Sequence, residues 1–285
     1  MKKIVLCPNP VRDVNLAYSG DVFRRLEERG LQPVMCPSHY IKDKRIDPLC
    51  TKLAAIQEHV READMAVALG GDGTILHIAR IVAPYQVPLL TVNLGNKGFI
   101  AELEQKDTER IIDIALEERH NIQERMMLNV QVLREGRVIY DELALNDVVV
   151  RSMPRLIGLE VYDDRERIIR FAGDGLIVCT PTGSTAYSMS AGGPLIEPTA
   201  KNITITPLCP HTLMAKSFVL SPDRAITVKV TLADWKKGHL AVDGGNFDLE
   251  DQDRIRVTQS EHVTRLIKGS ERSFYEVVNE KLAEL

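Results

Sequence analysis

No stretch of this 285-residue chain is apolar for long enough to cross a bilayer. Runs such as Met65–Leu69 and Val87–Val92 fall far short of the roughly 20 residues that a membrane helix needs. The N-terminus, Met1 to Cys7, begins like a secretory leader, but Pro8-Asn9-Pro10 and Arg12-Asp13 end its apolar run at once. It reads instead as a first buried strand, and a cytoplasmic protein with no membrane partner is expected. There is no basic surplus either: the formal net charge is -4, which argues against a broad nucleic-acid surface, so no nucleic acid is expected as partner. The five cysteines (Cys7, Cys36, Cys50, Cys179, Cys209) form no CxxC pair, and the seven histidines form no HExxH. A disulfide framework and a zinc site are therefore excluded, and the thiols are read as reduced, buried, small hydrophobes. No protein-held metal site is predicted.

What is present begins as alternation. Lys3–Cys7, Gln32–Cys36, Met65–Leu69 and Val87–Val92 are short apolar runs with strand character. Between them lie helical spacings over Ser19–Glu28, Leu49–Val60 and Thr74–Ala83, with another over Asp107–Arg119. This order predicts an α/β domain over 1-122, a parallel sheet covered by helices.

After about residue 122 the pattern becomes short strands with turn signals: Asn129–Arg134, Val138–Arg151, Gly158–Tyr162, Glu166–Phe171, Ile203–Thr206, Ile226–Leu232, Arg254–Thr258 and Val263–Ile267. Val228, Val230 and Leu232 alternate with polar residues at the period of a half-buried antiparallel strand. An all-β, sandwich-like domain is expected over 123-270. An amphipathic terminal helix, 271-285, is expected to pack back on one of the two domains.

The most informative stretch is Gly70-Gly71-Asp72-Gly73-Thr74, between a buried strand and a helix. Its glycines let backbone approach a ligand closely, and the helix N-terminus beyond them is a seat for phosphate. It is neither a Walker A motif nor a GxGxxG turn. Asp72 would repel a phosphate unless it binds a metal or takes a proton from an attacking hydroxyl. The alternative is a helix-capping aspartate beside a tight turn. A second distinctive run, Gly173 to Pro194, reads as turn, buried strand and hydroxyl-rich turn, with Thr or Ser at 180, 182, 184, 185 and 188. Those hydroxyls suit a polar pocket for a ribose or a base edge, and Tyr187 either stacks on a base or fills core. Ser184 lacks the GxSxG frame of a nucleophile. Asn93 to Phe99 follows a strand, where ligands of open α/β sheets collect. Asn146-Asp147 interrupts the apolar run Leu143–Val150, as polar groups in need of partners or as a strand-end turn.

Taken together, Gly70 to Thr74, Asn93 to Phe99, Asn146-Asp147, Gly173 to Gly193, Pro210 to Leu213 and Asp243-Gly244 resemble the ordered motif set of bacterial NAD kinases. The glycine loop alone is shared with lipid kinases and phosphofructokinases; the long run from Asp174 to Leu195 is far more specific. The resemblance implies an α/β domain followed by a β-sandwich, and transfer of the γ-phosphoryl group of ATP to the 2′-hydroxyl of the adenosine ribose of NAD. It also implies Mg²⁺ with the ATP, and a homodimer or homotetramer. Carried over by motif, Asp72 is the general base, Gly73 lies beside it, and Gly70, Gly71 and Thr74 complete the phosphate loop. Phe99 flanks the adenine, Asn146 and Asp147 bond the dinucleotide, and Asp174 faces its nicotinamide end. Thr185, Ala186, Tyr187 and Ser190 line the adenosine pocket. The chain departs from the family pattern at Met214-Ala215-Lys216-Ser217, where Ser-Ala-Arg-Pro is usual, and at Gly245, where glutamine is usual. Lys216 keeps a charge without the planar fork of arginine. Two other readings stay open: a lipid or sugar kinase with the same loop, and a dinucleotide sensor without catalysis.

Overall fold

The computed structural model describes residues 1–38, 55–95, 98–152, 156–164, 166–212, 215–232 and 237–283. Strand β1 (Lys3–Pro8) is buried from Ile4 onwards, and helix α1 (Ala17–Glu28) follows it. The helix starts two residues before its sequence-expected Ser19. Its cap comes from upstream: the buried carboxylate of Asp13 accepts the N–H groups of Tyr18 at 3.0 Å and Ser19 at 2.9 Å. Those are first-turn donors that have no partner inside the helix. Next come β2 (Gln32–Met35), the short α2 (Ile56–His59), β3 (Met65–Gly70), α3 (Asp72–Val82), β4 (Leu89–Asn93), β5 (Leu103–Glu104) and α4 (Thr108–Leu116). The first residues of the helix expected over 49–60, up to 54, lie outside the described residues.

These strands pair in parallel in the order β2-β1-β3-β4. The order has a physical consequence. The chain leaves β1 towards β2 on one side and leaves β3 towards β4 on the other, so the connections diverge between β1 and β3. A crevice opens at the carboxyl ends of strands where such a divergence occurs. The described segments that follow β1, β3 and β4 there are 9–13, 71–74, and 94–95 with 98–99. Below them, Ile4, Leu6, Val67, Leu69, Leu90 and Val92 pack with Val22 and Leu26 of α1 and Ile111 and Ile114 of α4.

The remaining elements are β6 (Ile122–Arg134), β7 (Arg137–Ala144), β8 (Asp147–Ser152), β9 (Ile157–Asp163), β10 (Glu166–Gly173), β11 (Gly175–Cys179), α5 (Tyr187–Ser190), β12 (Ile203–Leu208), β13 (Phe218–Leu220), β14 (Ile226–Thr231), β15 (Gly238–Val242), β16 (Gly245–Leu249), β17 (Arg254–Ile267) and α6 (Phe274–Ala283). One antiparallel sheet runs β10-β9-β14-β17, and another runs β13-β12-β11-β8-β15-β16. Both give side chains to one core, for example Val161, Val228 and Ile255 from the first and Val150, Val178 and Leu240 from the second. This is the sandwich that the alternation of Val228 and Val230 predicts.

Several expectations need correction. The run Val138–Arg151 is two strands, broken at Leu145-Asn146, where the backbone bonds Asp243 instead of a neighbouring strand. The stretches 254–258 and 263–267 are parts of a single strand, β17. The short strands β13, β15 and β16 were not anticipated: glycine and polar content hides the alternation of β15 and β16, and β13 is only three residues long. Cys209 is exposed, unlike the buried Cys7, Cys36 and Cys179. Contacts divide the chain into Met1–Glu124 with Val263–Leu285, and Arg125–His262. The second unit therefore ends before 270, and 271-285 is no separate piece. Leu266 pairs with Leu89 of β4 and Ile267 joins the core of the first unit, which draws the end of β17 there.

Asp13→Ala leaves the two N–H groups uncapped and is expected to cost about 1–2 kcal/mol. A urea midpoint unchanged from wild type would show that the cap carries no stability.

Candidate active site

Gly71 caps the N-terminus of α3, and Asp72 is its first residue. The Asp72 carboxylate is fixed on one side only. Its Oδ2 accepts the Phe99 N–H at 2.9 Å, whereas Oδ1 is buried with no hydrogen-bond partner among the described residues. A β-carbon at Gly98 would overlap that carboxylate, so the strand-following segment closes on Asp72 only because residue 98 has no side chain. The simple capping alternative is thereby set aside: Asp72 bonds the distant Phe99 backbone and makes no side-chain cap of its own helix. Gly73 is exposed, with open space around it. The Thr74 hydroxyl is turned away from the loop surface, where it accepts the Asn9 side-chain amide at 2.8 Å.

Asn9 belongs to a loop that sequence reasoning passed over. Its backbone N–H bonds Leu69 O at 2.8 Å, and its carbonyl accepts the N–H groups of Arg12 and Asp13 at 3.0 and 2.9 Å. Pinned in this way, the loop lays the guanidinium of Arg12 against Gly71 and Gly95, and a side chain at Gly95 would displace it. Arg12 is exposed and has no ion-pair or hydrogen-bond partner for its side chain among the described residues. The available signal was position, since Asn9 to Arg12 directly follow a buried parallel strand. Phe99 carries the Lys281 ammonium 4.1 Å from its ring centroid, a cation–π contact from α6 that occupies one face of the ring.

In the second unit, Asn146 and Asp147 are both buried. Asp243, in the turn between β15 and β16, accepts the N–H groups of Leu145, Asn146 and Asp147 at 2.7, 2.9 and 3.0 Å. From the opposite side, Thr180 donates its hydroxyl to Leu145 O at 2.6 Å and its N–H to Asn146 O at 2.9 Å. Asn146 Oδ1 is buried without a partner among the described residues. Burial, reinforced by the charge of Asp243, pushes the Asp147 carboxyl up to about 7.

The hydroxyl-rich segment proves to be scaffold more than lining. Thr182 receives Arg125 at 3.5 Å, Ser184 donates to Pro181 O at 2.7 Å, Thr185 donates to Thr182 O at 3.2 Å, and Ser188 pairs with Thr206 at 3.0 Å. The surface of this segment is offered instead by Tyr187, 44% exposed, and Ser190, with Ala186 half-buried. Tyr187 thus does not fill core. Asp174 is exposed between β10 and β11. Of the departures, Lys216 is exposed, Gly245 opens β16 opposite Val242, and Met214 lies outside the described residues.

A buried carboxylate oxygen left without a partner, in a loop that otherwise suits anions, is of use to chemistry at phosphorus. The class so defined is a phosphotransferase built on an α/β unit and a β-sandwich. Residues 10–120 match the ATP-NAD kinase N-terminal domain and residues 145–269 the ATP-NAD kinase C-terminal domain, and the chain belongs to this family. It is 38% identical to the NAD kinase of Natranaerobius thermophilus, over 99% of this chain and 98% of that protein. It is 37% identical to that of Symbiobacterium thermophilum, over 99% of each. Among solved structures, yeast NADH kinase complexed with NADH aligns with a TM-score of 0.86 at 25% identity, covering 99% of this chain and 88% of that one. An NAD kinase from Archaeoglobus fulgidus in complex with ATP shares the fold at a TM-score of 0.76, 22% identity and full coverage of both chains.

The raised Asp147 pKa means that the folded state binds this proton more tightly than the unfolded chain does. Its stabilising effect is complete below about pH 4 and fades as pH rises through about 7. Asp147→Asn removes the burden of ionisation. Its urea stability relative to wild type should therefore climb between pH 4 and pH 8, by up to a few kcal/mol. A difference that stays flat with pH would contradict the raised value.

Proposed function

We propose that this chain makes NADP by transferring the γ-phosphoryl group of ATP to the 2′-hydroxyl of the adenosine ribose of NAD, with Asp72 as general base. The observation that carries the assignment is the lone Oδ1 of Asp72. With Oδ2 occupied by Phe99 N–H, Oδ1 takes the ribose proton. The freed oxygen attacks the γ-phosphorus, the bond to the bridging oxygen breaks, and ADP leaves. Such transfer rests on positioning and charge, with no covalent nucleophile required. Gly70, Gly71, Gly73 and the first N–H groups of α3 hold the phosphates. Arg12 joins them as the cation over the loop. Phe99 offers the adenine the ring face opposite Lys281.

Asn146 and Asp147 bond the dinucleotide, and Asn146 Oδ1 has a vacant acceptor for an amino or hydroxyl group. Ala186, Tyr187 and Ser190 receive the adenosine. Thr185 contributes its backbone, its methyl group and the acceptor side of its hydroxyl, whose proton is given to Thr182 O. Asp174 takes the nicotinamide end. Magnesium fits this site as part of the donor. No group of three His, Cys, Asp or Glu side chains suited to a metal lies among the described residues, so the triphosphate itself would carry the ion. When bound, it supplies neutralisation of phosphate charge. We place the enzyme in the cytoplasm as a homodimer or homotetramer. No helix of the described residues is long and apolar enough to cross a membrane. Exposed Val138 and Ile139 on β7 and Val219 on β13 are apolar surface that an assembly would cover.

A coupled assay with NAD, ATP and Mg²⁺, reading NADP through an NADP-specific dehydrogenase, tests the activity. Asp72→Asn should lower turnover by about 10²–10⁴ with NAD binding retained. Near-normal turnover in the folded variant would refute the general-base role. Arg12→Met should raise the KM for ATP about tenfold or more and leave that for NAD unchanged. Equal effects on the two substrates would remove Arg12 from the donor site.

A further inference from the structure

Asp243 stands outside every role assigned above, yet the Asn146-Asp147 dipeptide is built around it. Three consecutive N–H groups, from Leu145, Asn146 and Asp147, converge on its carboxylate at 2.7 to 3.0 Å. The return bond, Asp243 N–H to Asp147 O at 3.1 Å, closes the loop. Asp243 itself sits at a positive φ of 46°, a strained position for a residue with a side chain, at the head of the β15–β16 turn. Charge-assisted bonds of this kind are stronger than neutral ones and fix direction as well as distance. They also explain why the apolar run Leu143–Val150 breaks where it does. Three donors that would otherwise enter the sheet ladder turn to Asp243, while Thr180 holds the carbonyls of the same residues.

We infer that Asp243 is a positioning residue of the dinucleotide subsite, acting on NAD through the backbone of Leu145–Asp147 and never touching it. The inference rests on the reading of Asn146 and Asp147 as dinucleotide contacts.

The same arrangement gives Asp243 a second effect that a purely structural anchor would lack. Among the described residues, two titratable groups face Asp147. One is Asp243, whose negative charge opposes ionisation of Asp147. The other is Cys179, opposite Asp147 in the β8–β11 register, whose thiol is pushed up to about 12 by burial and also raised by Asp147; it stays neutral across the working range. Removing the charge at 243 therefore makes Asp147 easier to ionise.

The test compares wild type, Asp243→Asn, Asp147→Asn and the double variant, as full chains, by pH-dependent kinetics and by calorimetry with NAD alone. Asp147→Asn should raise the KM for NAD and abolish one limb of the pH profile. Asp243→Asn should raise the KM for NAD about tenfold, leave the KM for ATP unchanged, and move that same limb to lower pH. The double variant should show no such limb. If Asp147→Asn leaves NAD binding and the profile untouched, the subsite reading fails. If Asp147→Asn behaves as expected but Asp243→Asn shifts neither KM for NAD nor the limb, the inference about Asp243 is overturned. Should Asp243→Asn unfold, Asp243→Ser keeps one acceptor without the charge and must show the same displaced limb.

Discussion

One hydrogen bond orders the glycine loop of the first unit: Phe99 N–H to Asp72 Oδ2. It ties the segment after β4 to the first residue of α3 and fixes how the carboxylate is turned. It also decides that one oxygen is spent and the other is not. Burying a carboxylate oxygen without a partner is unfavourable, commonly by about 1–3 kcal/mol or more for a charged group. In the mechanism proposed above, the missing partner is the ribose hydroxyl of the substrate. Gly98 is the condition for the arrangement, since any side chain there would occupy the space of the carboxylate.

The second unit uses the opposite device. There a carboxylate, Asp243, is saturated by backbone donors, and the groups left over are those of Asn146 and Asp147. Hydroxyls of the 180–188 segment are consumed in the same way, holding a tight turn in place beside that dipeptide. Polar residues near a binding surface thus divide into those that build it and those that face outward. Burial alone does not separate them; the count of satisfied bonds does.

Much of the fold was legible. The switch from helix-and-strand alternation to short strands near residue 122 reflects two periods of hydrophobicity, which local sequence carries directly. The glycine loop and its aspartate were legible as a pattern, a carboxylate among glycines between a buried strand and a helix; their role in phosphate binding and catalysis is the proposal made above. Arg12 was missed because nothing adjacent to it in sequence hints at Gly71 or Gly95; strand order alone brings those loops to one edge. Cys209 was taken for a core thiol because residue type predicts average burial, whereas it stands exposed just past the end of β12.

The amino-acid sequence by itself determined the family and the two architectures, because these depend on motifs and periodicities within a few residues of one another. Tertiary structure alone decided which oxygen of Asp72 is vacant, which hydroxyls are spent, and that Asp243 clamps a dipeptide about a hundred residues earlier in the chain. The physical reason is that hydrogen-bond satisfaction is a property of space. A residue's type fixes what it can donate or accept, and only its neighbours in the fold fix what remains for a ligand.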